Sequence, residues 1–262
     1  MASAEGVSRK GPNWLALPRE VTENILQRLH IDEIVTSACL VCPLWWNICK
    51  DPHMWRTIAI THPRYSFYNS VDICSYAIRR SYGHLEDISI DSIATDDLMD
   101  IANSTSVLRR LCLLDCNRIS DRGMMEAVKK FPLLEELDIS YSSNITKDSL
   151  EEIGRCCPFL KTLKFNQISF WRSSFSDDNE EAFAIAQTMP ALRYLQIIGN
   201  TISDVGLLAI LNGCPLLEFL DLRCCEFLDL SGSLGKRCRE QIKHLLLVID
   251  PDDFPSVTPD NI

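Results

Sequence analysis

A hydrophobic box of the form L-x-x-(L/I)-x-(L/I/F) recurs through most of this chain. Six boxes begin with Leu and a seventh with Ile, and their first residues are Leu85, Leu108, Leu134, Leu160, Leu192, Leu217 and Ile242. The successive intervals are 23, 26, 26, 32, 25 and 25 residues. A repeat of this length predicts a solenoid of strand–turn–helix units, because one unit cannot bury its apolar side alone. A solenoid presents a long concave surface, which is the first candidate for function.

Further columns emerge when the boxes are aligned. Small residues follow the strands where the chain must turn, at Cys116, Asn200 and Cys225. Hydroxyl residues then stand where a helix N-cap belongs, at Ser120, Thr146 and Ser203. Asp121 and Asp204 come next and favour the first turn of a helix through its dipole. A proline precedes several boxes and ends the helix before the next strand.

These columns resemble the cysteine-containing class of leucine-rich repeats over residues 84–249. The resemblance implies an α/β solenoid of mixed strands and helices, with about six or seven strand–turn–helix units. The fourth unit is about six residues longer than the others, and its additional residues lie within 166–179. Residues 250–262 contain four aspartates, three prolines and no basic residue. We predict that this acidic tail is disordered.

Residues 14–56 show helical periodicity instead. Pro18 favours a helix start, and Val21, Ile25 and Leu29 then form an apolar stripe at i, i+4 and i+8. Asp32 is placed to cap a second helix. The segment is too short to bury its many apolar groups by itself. It therefore either caps the solenoid or presents part of the stripe to another protein.

The order of residues in this segment is similar to the F-box motif, with L-P-x-E, I-L, L, V-C-x-x-W and D-P-x-x-W in turn. The matching residues are Leu17, Pro18, Glu20, Ile25, Leu26, Leu29, Val41, Cys42, Trp45, Asp51, Pro52 and Trp55. The resemblance implies a three-helix F-box that binds the S-phase kinase-associated adaptor of SCF-type ubiquitin ligases and, through it, cullin.

The same resemblance assigns adaptor-binding residues. They are Leu17, Pro18, Ile25, Leu26 and Leu29, with Val41, Cys42 and Trp45 shared between the interface and the core. Two features depart from the motif. Pro43-Leu44 replaces the usual basic pair, and Trp46-Asn47 stands where a basic residue is common. Pro43 is expected to kink or restart the third helix.

An F-box followed by leucine-rich repeats resembles the F-box/LRR protein family, and the Trp-Trp pair resembles its plant members. We expect an F-box at residues 12–58, a helical linker or solenoid cap at 59–83, repeats at 84–249 and the tail at 250–262. The expected function is the substrate-recognition subunit of an SCF-type ubiquitin ligase, which captures a protein for ubiquitination and proteasomal degradation. The alternative is an interaction scaffold or inhibitor whose F-box-like bundle only caps the solenoid.

Residues that flank the inner Leu and Ile of each strand should face the concave surface. The candidate target-binding residues are Arg110, Glu136, Asp138, Lys164, Tyr194, Gln196, Phe219, Asp221 and Arg223. Tyr194 and Phe219 lie in adjacent repeats, and aromatic residues dominate binding hot spots. The alternative is that these side chains are merely tolerated at the surface, where single apolar residues are common.

Composition narrows the class of function. The formal net charge of −10 argues against general nucleic-acid binding, which uses a basic surface. No apolar run approaches 18 residues and no signal peptide opens the chain, so we expect a cytoplasmic or nuclear protein with no membrane contact. Its 12 cysteines should be reduced. Cys39 and Cys42 have C-x-x-C spacing without a second pair, which favours packed thiols over zinc.

Motifs of catalysis are missing from the sequence. It has no P-loop, G-x-G-x-x-G, G-x-S-x-G or H-E-x-x-H, and its five histidines show no pairing with a nucleophile. We therefore predict a non-catalytic subunit with no catalytic residue, cofactor or metal. A thiol enzyme is the third alternative, and alkylating the cysteines before a turnover assay would test it.

The long fourth unit carries Phe170, Trp171 and Phe175, which either pack locally or contact a partner. If Trp171 anchors a target, Trp171→Ala will weaken target capture and leave the melting temperature unchanged. Capture assays and differential scanning fluorimetry on the same variant measure both. A large fall in melting temperature would assign Trp171 to local packing instead.

Overall fold

The computed structural model describes residues 17–60, 67–97, 106–167 and 177–247. In these ranges the helices are α1 Arg19–Leu26, α2 Ile31–Thr36, α3 Pro43–Cys49, α4 Phe67–Arg80, α5 Asp121–Val128, α6 Lys147–Cys156, α7 Glu180–Thr188, α8 Asp204–Gly213 and α9 Ser233–Gln241. The strands are β1 Thr57–Ile60, β2 Asp87–Asp91, β3 Arg110–Leu114, β4 Glu136–Asp138, β5 Thr162–Lys164, β6 Tyr194–Gln196, β7 Phe219–Asp221 and β8 His244–Leu246. Two short 3₁₀ helices, Ala38–Leu40 and Pro52–Trp55, flank α3.

The strands form one parallel sheet in the order of the sequence, from β1 to β8. The mixed α/β solenoid predicted from the boxes is therefore confirmed. Seven strands correspond to the seven boxes, and β1 is an additional strand ahead of the first box. The predicted boundary between residues 58 and 59 falls inside β1, so the segment expected to be a helical linker begins within the sheet.

The middle apolar residue of each box occupies one register row across the sheet. The row from β2 to β8 is Ile88, Leu111, Leu137, Leu163, Leu195, Leu220 and Leu245. From Ile88 to Leu220 these side chains are at most 2% exposed. Burying one such aliphatic side chain contributes about 2 kcal/mol, and each depends on the next unit to cover it.

The buried Cys116 and the half-buried Cys225 join neighbouring units through their thiols. The Sγ of Cys116 donates to the carbonyl of Ile90 at 3.7 Å, and that of Cys225 donates to the carbonyl of Ile197 at 3.2 Å. Burial raises the pKa of Cys225 to about 12 and that of Cys116 to about 11, so both stay protonated donors at neutral pH. These cysteines act as packed, hydrogen-bonding side chains.

A left-handed backbone position follows most strands, and the sequence columns did not reveal it. Its occupants are Ser92, Asp115, Tyr141, Gly199 and Cys224, with φ between 51° and 68°. Each lies two residues after the last apolar residue of its box. Only the glycine adopts this conformation freely, and other residues carry a cost of about 1 kcal/mol.

Polar side chains at the helix starts also bridge neighbouring units. The Asp121 carboxylate accepts from the backbone N–H and hydroxyl of Thr146 at 2.9 and 2.7 Å, and from the buried Ser149 hydroxyl. Asn179 accepts in the same way from the N–H and hydroxyl of Ser203. Ser203 occupies the N-cap position of α8 as predicted, but its hydroxyl bonds the preceding unit and makes no cap bond within α8.

The F-box helices share a continuous core with the solenoid. α2 packs against both α4 and β1. Trp55 is buried, and its indole N–H donates to the carbonyl of Cys49 at 2.9 Å. Pro43 begins α3, as its restricted φ favours. Asp32 lies inside the first turn of α2 and is not its cap, because His30 precedes the helix and its N–H donates to Glu33.

None of the helices in the described part of the chain is both long enough and apolar enough to cross a membrane.

The bridge from Asp121 to the next unit gives a stability prediction. Asp121→Ala removes the acceptor of three hydrogen bonds and should lower the free energy of unfolding by about 2 kcal/mol. Urea denaturation measures this change. Asp148→Ala is the matched control, since Asp148 is exposed in the first turn of α6 and its loss should cost about 0.5 kcal/mol or less. Equal losses in the two variants would contradict the bridging role.

Candidate functional site

The structure separates the predicted adaptor-binding residues into surface and core. Pro18 is exposed, and Leu17 and Ile25 are half-buried. Leu26 is fully buried, with no exposed area. Its assignment to the adaptor interface is corrected, because Leu26 lies on the face of α1 that packs into the core while Ile25 lies beside it towards solvent.

Three apolar residues of the F-box are well exposed, and only one of them was chosen from the motif. Val21 is 44% exposed, Leu40 is 75% exposed and Val41 is 60% exposed. Val41 was among the candidates, whereas Val21 and Leu40 were not. The i, i+4 spacing of Val21 and Ile25 was the available signal for the first. Leu40 ends a 3₁₀ turn that the sequence pattern did not predict.

The remaining F-box candidates lie at the edge of the core. Cys42, Trp45 and Leu29 are half-buried, and Trp45 and Leu29 pack against buried residues. Leu29 also lines a cleft of about 680 Å³ between α1, α2 and β1, together with His53 and Arg56. It therefore faces the junction of the F-box with the sheet.

The unusual Trp46 has a structural partner in α4. The guanidinium of Arg80 lies 5.7 Å from the centre of its ring, and the Lys50 amine lies 4.8 Å from it. Contacts of this kind between a cation and an aromatic face are attractive. The departure from the F-box motif at Trp46 thus links α3 to the helix that leads into the repeats.

The cysteines with C-x-x-C spacing do not form a pair. Cys39 is buried beside Cys49, and Cys42 is half-buried. Burial, with a contribution from Cys39, raises the pKa of Cys49 to about 12. Over the described ranges, no group of three or more His, Cys, Asp or Glu side chains is arranged to hold a metal.

The concave face is built from two parallel rows of side chains between the buried apolar ones. The first row, from β2 to β8, is Asp87, Arg110, Glu136, Thr162, Tyr194, Phe219 and His244. The second row is Ser89, Cys112, Asp138, Lys164, Gln196, Asp221 and Leu246. Parallel register thus brings the candidates of different repeats side by side, and Arg223 follows β7 at the rim.

Tyr194 and Phe219 stack face to face across neighbouring strands, and we call this stacked pair the aromatic plate. Their ring centres are 4.1 Å apart and the rings are inclined by only 5°. The Tyr194 hydroxyl donates to Oε1 of Gln196 at 3.2 Å, and burial raises the pKa of Tyr194. Both residues are half-buried, so the plate is held in place while part of each side chain still reaches solvent.

Charged candidates on the face are arranged in pairs. Arg110 lies 2.7 Å from Asp87, and Lys164 lies 3.6 Å from Asp138. Glu136 is exposed between them. The pairs are partly exposed, so each contributes little to stability and remains available for exchange with a partner's charges.

Asp221 is not a surface residue, and its assignment to target binding is corrected. Only 1% of its side chain is exposed, and the Arg223 guanidinium lies over it at 2.8 Å. The carboxylate also accepts from the backbone N–H of Arg223. This buried pair shapes the turn after β7. Trp171, the remaining candidate, lies outside the described residues.

A ladder of charges along one edge of the sheet was not found from the sequence. The ladder consists of the charged residue that comes just before each strand. Its ion pairs are Arg56–Glu86, Arg109–Glu135, Lys161–Glu135, Arg193–Glu218 and Lys243–Glu218. The signal was present as a charged residue immediately before each strand residue of the first row. Exposed ion pairs stabilise a fold only modestly, but each of these pairs connects one unit of the solenoid to the next.

Comparison with known proteins establishes the family. Residues 14–61 match the F-box-like family and residues 189–211 match the Leucine Rich repeat family. The chain is 45% identical to the F-box protein SKIP19 of Arabidopsis thaliana over 246 residues, covering 92% of this chain and 78% of that protein. It is 41% identical to F-box/LRR-repeat protein 9 of the same plant, covering 86% of this chain and 92% of that protein. The chain belongs to the F-box/LRR-repeat family.

Two further comparisons concern length and fold. The chain is 48% identical to F-box/LRR-repeat protein 23 of Arabidopsis thaliana over 94% of its own length but spans only 55% of that relative. A solved structure, the yeast Rad7 and Elc1 complex, contains a chain of similar fold, with a TM-score of 0.53 and 17% identity. That match covers 76% of this chain and 59% of the solved one, and it supports the fold alone.

The buried pair after β7 predicts a structural role for Arg223. Arg223→Met should lower the free energy of unfolding by about 3 kcal/mol, because it leaves the Asp221 carboxylate buried without this guanidinium. Chemical denaturation measures the loss. Arg110→Met is the control, since Arg110 pairs on the exposed part of the face and should cost less than about 1 kcal/mol. If both variants are equally stable, the pair after β7 does not hold the turn.

Proposed function

We propose that this protein is the target-recognition subunit of an SCF-type ubiquitin ligase in the cytoplasm or nucleus. The observation that carries the proposal is the combination of family membership with two separate accessible surfaces. The F-box exposes Val21, Leu40 and Val41, and the concave face carries the half-buried aromatic plate. Large exposed apolar groups are typical of protein interaction sites when they cluster on one part of a molecule.

The two parts of the fold have different roles in this proposal. The F-box binds the S-phase kinase-associated adaptor, which carries cullin, and the repeats hold the target. Since α2 packs on α4 and β1, the two surfaces belong to one packed body. A bound target is thereby kept near the ubiquitin-charged enzyme, and ubiquitin transfer is accelerated by high effective concentration. The proposed role needs no catalytic residue in this chain, and the modified target is then degraded by the proteasome.

The adaptor contact can be tested with a surface charge. Val41→Glu places a carboxylate on a residue that is 60% exposed, so the fold should tolerate it while an apolar interface should not. We expect co-purification of the full chain with the adaptor to fall by about tenfold or more. Leu208→Glu is the matched control, because Leu208 is 41% exposed on α8 of the solenoid, and it should leave adaptor binding unchanged.

Failure of the unaltered chain to co-purify with the adaptor would favour the alternative, an interaction scaffold whose F-box-like bundle only caps the solenoid. Capture of the target is tested separately by proximity labelling of the full chain with and without proteasome inhibition. Proteins that accumulate on inhibition and are lost with Phe219→Ala are the expected targets of the concave face.

A further inference from the structure

The concave face is divided into two chemically different halves. Over β2 to β4 it carries the carboxylates of Asp87, Asp91, Glu136 and Asp138. Arg110 pairs with Asp87, Lys164 of β5 pairs with Asp138, and Glu136 is exposed between these pairs. We call this the acidic half. Over β6 and β7 the accessible feature is the aromatic plate, whose neighbouring carboxylate at Asp221 is buried and paired. A ligand that covers both halves therefore meets negative charge at one end and an aromatic surface at the other.

Tyr141 lies between these halves in a strained conformation. It follows β4 with φ at 64° and is 41% exposed, whereas the equivalent positions hold the smaller Ser92, Asp115, Gly199 and Cys224. The charges of Asp138 and Arg223 both act on its phenol, whose pKa is raised mainly by burial. The left-handed backbone is common to this column of the repeat, so Tyr141 is distinguished by its bulky, exposed aromatic side chain. Tyr141 thus adds a third aromatic group to the face.

The dimensions of the sheet limit what can bridge the halves. Neighbouring strands lie about 4.8 Å apart, so Glu136 on β4 is separated from Tyr194 by about 10 Å and from Phe219 by about 14 Å. An extended peptide advances about 3.3 Å per residue. Four residues therefore cover about 13 Å, close to the distance from Glu136 to Phe219, and because successive side chains alternate in direction, residues four positions apart face the same side.

We propose that the concave face binds a short extended segment of its target in which Lys or Arg lies four positions from an aromatic residue. The basic side chain faces Glu136 and the acidic half, and the aromatic side chain lies against Tyr194 and Phe219. The inference rests on the proposed function, since it names the class of target segment. Charge complementarity selects the basic end, and stacking and apolar burial select the aromatic end.

The first test selects peptides from a random 12-residue display library on the purified full chain, with counter-selection on the Phe219→Ala variant. Enriched sequences should carry Lys or Arg four positions from Phe, Tyr or Trp. Enrichment of acidic peptides, of aromatic peptides without this spacing, or of no peptide at all would overturn the inference. Adaptor co-purification does not depend on this face, so its outcome reports on the proposed function separately.

The second test measures the affinity of an enriched peptide by fluorescence anisotropy. Glu136→Gln should weaken binding about threefold and Glu136→Lys about tenfold, and rising salt should weaken the unaltered chain more than Glu136→Gln. Phe219→Ala should weaken binding about tenfold or more. The controls make the same changes on helices away from the face: Glu126→Gln on α5 and Phe183→Ala on α7, both exposed, should leave affinity unchanged.

A substitution at Tyr141 distinguishes an effect on peptide affinity from an effect on the stability of the fold. Tyr141→Gly relieves the left-handed strain, so the melting temperature should not fall, while peptide affinity should drop about threefold or more. Ser92→Gly is the control, because it relieves the same strain two strands away and should leave affinity unchanged. Unchanged affinity in Tyr141→Gly, or equal affinity losses in control and test variants, would remove the aromatic and acidic halves as the binding site.

Discussion

Every part of this structure depends on the covering of one repeat by the next. The boxed Leu and Ile side chains of a unit are buried only because the neighbouring unit lies in parallel register on both sides, as in the row from Ile88 to Leu220. The same stacking satisfies polar groups, since Asp121 accepts from Thr146 and Cys225 donates to Ile197 of adjacent units. A unit removed from the stack would lose both its apolar cover and its hydrogen-bond partners.

The ends of such a stack need different chemistry, and the amino-terminal end is covered by the F-box. Strand β1 extends the sheet one unit beyond the boxes, and α2 and α4 pack over it. The geometry is therefore compatible with both interpretations of this bundle. It can cap the solenoid, and it can also serve as a docking module. Leu26 of α1 belongs to the core, whereas Leu40 and Val41, which lie between α2 and α3, are left in solvent. One small bundle can both close the solenoid and present an apolar surface.

Register also makes the concave face a composite of all the repeats. No single unit holds a binding site, but neighbouring units bring Tyr194 against Phe219 and place Lys164 beside Asp138. The face is consequently graded along the sheet, from carboxylates at β2 to β4 towards aromatics at β6 and β7. A gradient of this kind favours an extended ligand that lies across several strands over a compact one that occupies a single pocket.

Much of the fold was predictable, because each of the seven boxes predicts the same local structure. The box positions, the small residues after the strands, the restart of α3 at Pro43 and the order of the F-box motif follow from periodicity and from residue chemistry. The left-handed column was not predictable, since its occupants Ser92, Asp115, Tyr141 and Cys224 share no residue type. The bond from the Ser203 hydroxyl to the preceding unit was also missed, because an N-cap and a bond to the previous unit call for the same hydroxyl.

The residues of the sites show the same division. Spacing alone placed Tyr194 and Phe219 on the concave face, because alternation along a strand assigns sides. Which neighbouring residues stay accessible depends on three-dimensional packing: Asp221 and Glu136 occupy concave rows of the same kind, yet one is buried under Arg223 and the other is exposed. Leu26 and Ile25 differ likewise, although the motif treats them as a pair. The amino-acid sequence determined the repeat, its period and the family; the contacts between units determined which side chains are left for a partner, because burial is a property of neighbours that lie some 25 residues apart along the chain.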